Sequence, residues 1–164
     1  MNTEELGIYL NDHLAGSVAA VELLEDLAKT YHGKPLGVFF QELRTDIQAD
    51  QDVVREMVDA LGASESGVRK AGAWLMEKLG RVKLQLAEDR DGEFGLYQAL
   101  EGLVLGITGK QLLWRALSSL ARNAPELGGR DFAKLEQRAV DQRERAEAKR
   151  MEIAVKGVQP KSAD

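Results

Sequence analysis

The residues of this chain best placed to do chemistry are polar side chains that fall on apolar helical stripes. The first is Lys110, in the middle of the stretch EGLVLGITGKQLLWR from Glu101 to Arg115. Leu96, Leu100, Leu103, Ile107, Trp114 and Ala121 recur three and four apart, which on an α-helix draws one buried face, and Lys110 completes that face between Ile107 and Trp114. An ammonium in such a place must be paired or hydrogen-bonded. The same projection puts His13 beside Leu10, Ser17 and Leu24, puts Asp50 among Leu43, Ile47 and Val54, and includes Gln142 in the set Phe132, Leu135, Ala139, Ala146 and Ile153. His13, Ser17, Asp50, Lys110 and Gln142 are therefore expected to form an interior polar cluster, in which Lys110 neutralises Asp50 while His13 and Gln142 complete the hydrogen bonds.

Other chemistries find little support. The chain has no cysteine, so neither a disulfide, a thiolate metal site nor a Cys nucleophile is available. Ser17 has no triad partner. GITGK lies inside a helical pattern instead of after a strand, which argues against a phosphate loop. We assign no catalytic, cofactor-binding or metal-ligating residue and expect no cofactor. Two further features point to partners. Gly102, Gly106 and Gly109 lie on one flank of the central helix although each costs about 1 kcal/mol relative to alanine. Something is expected to approach closely there: another helix or a second subunit in a homo-oligomer, or alternatively a ligand lying on exposed backbone. Arg69, Lys70, Lys78, Arg81 and Lys83 outnumber Glu65 and Glu77, a surface suited to an anionic partner.

The elements that must position these residues are helical. Three prolines, few aromatics and abundant Ala, Leu, Glu, Lys and Arg in 164 residues predict an all-α single domain over residues 1–157, with 158–164 a disordered tail. A first helix capped by Thr3 runs to about Tyr31, with Asn11 and Glu22 on its polar side. A second opens at Pro35 and ends at Leu61–Gly62. Residues 63–92 form a long connection carrying its own helix, in which Trp74 is expected to be buried. Two more helices, from about Glu93 to Arg122 and from about Arg130 to Lys156, complete the set. Short loops at 32–36 and 124–130 make two antiparallel hairpins. That register sets Ser17 level with Asp50, His13 about one turn away, and Lys110 level with Gln142 and Arg143.

In helix number, helix length and the long connection between the second and third bundle helices, the chain resembles the ferritin-like superfamily. Its LNDHLAG opening from Leu10 to Gly16 is also similar to uncharacterised bacterial proteins of this bundle type. The resemblance implies a four-helix bundle of two antiparallel hairpins with a long helical crossover. In its di-iron members each hairpin supplies one glutamate and a Glu-x-x-His pair. Here the only histidines are His13 and His32, preceded at three residues by Leu10 and Lys29, and Glu22 and Glu101 project to polar faces. No ligand is carried over. The expected function is that of a non-catalytic, metal-free bundle acting as an interaction or small-ligand-binding protein. The alternative is a metal-dependent, di-iron-type oxidoreductase or metal-binding protein of the same fold. A net charge of −5, an acidic MNTEEL opening and no uncharged stretch of ~18–20 residues predict a cytoplasmic protein without a membrane span.

Overall fold

The computed structural model describes residues 2–63 and 93–157, and among these the chain forms four long helices and no strand. They are α1 (Thr3–Thr30), α2 (Pro35–Ala60), α3 (Glu93–Leu120) and α4 (Phe132–Gly157), with a short 3-10 turn at Pro125–Leu127 before α4. The expected helix within 63–92, Trp74 in it and the tail at 158–164 lie outside the described residues. No described helix is long and apolar enough to cross a membrane.

Local chemistry sets the boundaries. Asn2, not Thr3, caps α1: its Oδ1 accepts from Glu5 N at 2.8 Å while Glu5 Oε2 accepts from Asn2 N at 2.9 Å, a reciprocal box that needs the acid three residues after the cap. Glu4 and Glu5 also sit against the positive end of the helix dipole. After α1 the chain turns through Gly33 at φ 76°, and Pro35, which has no N–H to leave unsatisfied, starts α2. Asp131 starts α4 by accepting from Lys134 N at 3.0 Å.

Side chains pair the helices in order. Between α1 and α2, Tyr31 meets Phe40 with ring centroids 6.0 Å apart, Glu25 meets Arg44 at 3.6 Å and Ser17 meets Gln51 at 3.0 Å, so residue numbers fall along one helix as they rise along the other. The same holds between α3 and α4, where Arg115 meets Glu136, Lys110 meets Gln142 and Glu101 meets Arg150. Contacts of α1 with α3 and of α2 with α4 join the four into one core. Trp114 is fully buried, its ring 6.4 Å from that of Phe132.

The buried face of α1 is wider than its periodicity predicts. Ala15, Ala19, Leu23 and Leu27 are buried, and so is Asn11, which we placed on the polar side. Because α1 packs on both α2 and α3, more than one stripe is covered, and Asn11 is accommodated by donating from Nδ2 to Gly7 O at 3.0 Å.

Glycines test this packing in opposite directions. A Cβ on Gly37 would press into the Tyr31 carbonyl, which is backbone and cannot swing away, whereas one on Gly106 would meet nothing within 4 Å among the described residues. Gly37→Ala is expected to lower stability by about 1–3 kcal/mol. Gly106→Ala is expected to raise it by up to about 1 kcal/mol. Urea unfolding midpoints of the two variants check both signs.

Candidate functional site

Asp50, on the inner face of α2, is completely buried. Its Oδ2 accepts from Lys110 Nζ of α3 at 2.6 Å and from Gln142 Nε2 of α4 at 2.9 Å. Lys110 also donates to Gln142 Oε1, which closes a three-residue ring of donors and acceptors. Arg138 Nη2 lies 2.7 Å from Asp50 Oδ1, close enough for charge pairing although not aligned as a hydrogen bond. One carboxylate is thus met by two cations from two helices. Burial pushes the Lys110 pKa below its ordinary value, Asp50 beside it opposes that, and Arg138 adds to the lowering.

Ser17 belongs to a neighbouring chain of bonds. It donates to Leu14 O at 2.7 Å and accepts from Gln51 Nε2 at 3.0 Å, and Gln51 Oε1 in turn accepts from Gln48 and Arg55. His13 stands apart from both groups. Among the described residues it makes no hydrogen bond, and it packs edge-on against Tyr9 with centroids 4.8 Å apart; desolvation lowers its pKa, against an opposing pull from Asp12. Of the five residues expected together, Asp50, Lys110 and Gln142 share one network, Ser17 lies in the next, and His13 lacks the expected bond because its ring faces Tyr9.

Two participants went unforeseen. Arg138 lies one turn before Gln142 on the same face of α4, a spacing that marks it as a partner; Arg143, expected at this level, instead lies 3.9 Å from Glu144. Gln51 follows Asp50 directly and is buried as well.

Beside this network is a cavity of about 440 Å³ between α1, α2 and α3. His13, Ser17, Asp50, Gln51 and Lys110 line it together with apolar residues that include Ile47, Val54, Leu103, Ile107 and Leu113. Gly102, Gly106 and Gly109 form part of its wall, and a Cβ at any of the three would meet no described atom within 4 Å. The close helix approach expected at this flank is therefore not made by any described part of the chain. The basic positions Arg69, Lys70, Lys78, Arg81 and Lys83 lie outside the described residues.

Among the described residues the donor set does not fit the two-metal centre of the di-iron bundles. Among the described residues no group of three or more His, Asp or Glu is placed to hold a metal ion. Both oxygens of Asp50 already face cations, and Glu22 and Glu101 are exposed, with Glu101 3.6 Å from Arg150. Such a centre needs oxygen-rich ligation with a few imidazoles, which these positions cannot supply.

The pairing around Asp50 is lopsided, so its disruption should be as well. Asp50→Asn leaves Lys110 and Arg138 facing each other without a counter-charge and is expected to cost about 3–5 kcal/mol. Lys110→Met keeps the contact of Asp50 with Arg138 and should cost less, and Asp50→Asn combined with Lys110→Met should recover part of the loss. Denaturant unfolding of the three variants gives the order; equal costs for the two single changes would contradict it.

His13 sets a pH dependence. Its pKa is below 6.5 when folded and near 6.5 when unfolded, so between these values the unfolded chain binds more protons. Stability is therefore expected to fall as pH drops through 6.5 and to level once the folded pKa is passed, whereas His13→Gln should remove that component. Urea midpoints between pH 7.5 and 5.5 measure it. No protein-family model, curated protein or solved structure matches the chain, so its functional reading rests on this geometry.

Proposed function

We propose that the protein is a non-catalytic, small-ligand-binding bundle of the ferritin-like type. In this reading α1 with α2 and α3 with α4 are two antiparallel hairpins, supported by the opposed order of their side-chain pairs. A cytoplasmic setting belongs to the same reading and rests on composition. The observation that carries the function is the cavity. At about 440 Å³, with mostly apolar walls and a few polar groups, it matches the size and character of sites for small molecules, roughly 300–1,000 Å³. The glycine wall fits as well, since three side chains are absent where they would otherwise occupy the space.

Catalysis has no comparable support. Among the described residues the Ser17 hydroxyl donates to a backbone carbonyl and accepts from an amide, with no hydrogen bond to His13, and the Asp50 oxygens are engaged by Lys110, Gln142 and Arg138.

Titration of methyl-labelled protein with 1-octanol is expected to shift the methyl resonances of Val54, Leu103, Ile107 and Leu113 in a saturable way. Gly106→Leu, whose Cβ would meet no described atom within 4 Å and whose side chain extends from the cavity wall, should keep or raise the melting temperature and lose those shifts. Unsaturable or scattered shifts in the unmodified protein would remove this reading.

A further inference from the structure

The polar groups beside the cavity are unequally satisfied, and the inequality bears on the class of ligand. Asp50 carries one negative charge and faces two positive ones, Lys110 and Arg138. The next carboxylate along α2, Asp46, is matched by its own partner Arg145, and Asp12 is at the cavity's edge and exposed to solvent. The buried Asp50 carboxylate is therefore shared between two cations, Lys110 and the partly exposed Arg138.

Lys110 is the member of the pair that reaches the cavity with capacity to spare. An ammonium has three N–H donors, and the described residues accept two of them, at Asp50 Oδ2 and Gln142 Oε1. Its side chain retains 11% of its exposure, while Asp50 retains none. His13 lines the same cavity and makes no hydrogen bond among the described residues, so its ring is a second polar group open to a ligand. The rest of the wall is mainly hydrocarbon or bare glycine.

We propose that the cavity selects a small monocarboxylate with an apolar body, the body lying along the Gly102, Gly106 and Gly109 wall and the carboxylate accepting the third Lys110 N–H. The proposal rests on the cavity being a binding site. One negative charge suits a Lys110 ammonium whose buried partner Asp50 is shared with Arg138, and the acceptor oxygen completes the ammonium. An amine would add a third positive charge to the layer. A dianionic phosphate would bring a second negative charge with no cation to meet it, at the cost of desolvating it among apolar walls.

The test compares octanoate, 1-octanol and octylamine at pH 7.5 by calorimetry and by the same methyl shifts. Octanoate is expected to bind roughly tenfold more tightly than 1-octanol, the size of one added charge-assisted hydrogen bond, with octylamine weakest. Combining Lys110→Met with Asp50→Asn should leave 1-octanol binding in place and abolish the preference for octanoate. Should that variant not fold, Arg138→Gln serves instead: it changes a partly exposed residue, leaves Asp50 wholly to Lys110 and should narrow the preference. If 1-octanol binds as tightly as octanoate, or octylamine more tightly, the carboxylate assignment is wrong while the binding reading stands. If neither octanoate nor 1-octanol binds, the binding reading itself fails and the assignment falls with it.

Discussion

A carboxylate taken fully out of water sets the terms for the interior of this bundle. Charge burial is costly enough that Asp50 can occupy the core only with its partners in place, and they come from two other helices: Lys110 of α3, and Gln142 and Arg138 of α4. Apolar packing among Leu, Ile and Val tolerates small rotations and slips of a helix; two short hydrogen bonds converging on one carboxylate oxygen do not. The apolar core supplies the bulk of the cohesion, and the Asp50 layer specifies which faces meet and at what height.

The three residues at the heart of that layer were legible because helical periodicity is a strong signal. Each interrupts an otherwise apolar stripe, and the lengths of the two short loops bring them to one level. Arg138 was harder to see. A long side chain can reach back from the boundary of its helix, so its Cα position does not determine where its charge lies. Asn11 was misplaced for a related reason: projecting one stripe assumes one partner per helix, whereas α1 has two. His13 has the periodicity of a core residue, but periodicity carries no information about which neighbour a ring turns toward, and it turns toward Tyr9 on its own helix.

The glycine flank was ambiguous in the sequence because a missing side chain has the same spelling whether a neighbour fills the space or nothing does. Only the positions of the surrounding atoms distinguish these cases, and here the described atoms leave the space open. Glycine in the middle of a helix lowers its stability by about 1 kcal/mol relative to alanine. Three of them, at Gly102, Gly106 and Gly109, weaken the same helix that carries Lys110, so the helix with the most demanding polar contact is also the one with the least intrinsic preference for its conformation. Its order comes from its neighbours: Leu103, Leu113, Trp114 and Leu117 are buried against them.

The sequence distances spanned by the Asp50 layer bear on how the chain acquires its structure. Lys110 is 60 residues from Asp50 and Gln142 is 92. During synthesis α1 and α2 emerge and can pair long before either partner exists, and an early hairpin must keep the Asp50 carboxylate hydrated, with its inner face open to water. The layer closes only when α3 and α4 dock. Loop closure over such separations is slow compared with helix formation. Final desolvation of the core is thus coupled to arrival of the last helix, because without α4 the Asp50–Lys110 pair lacks Gln142 and Arg138.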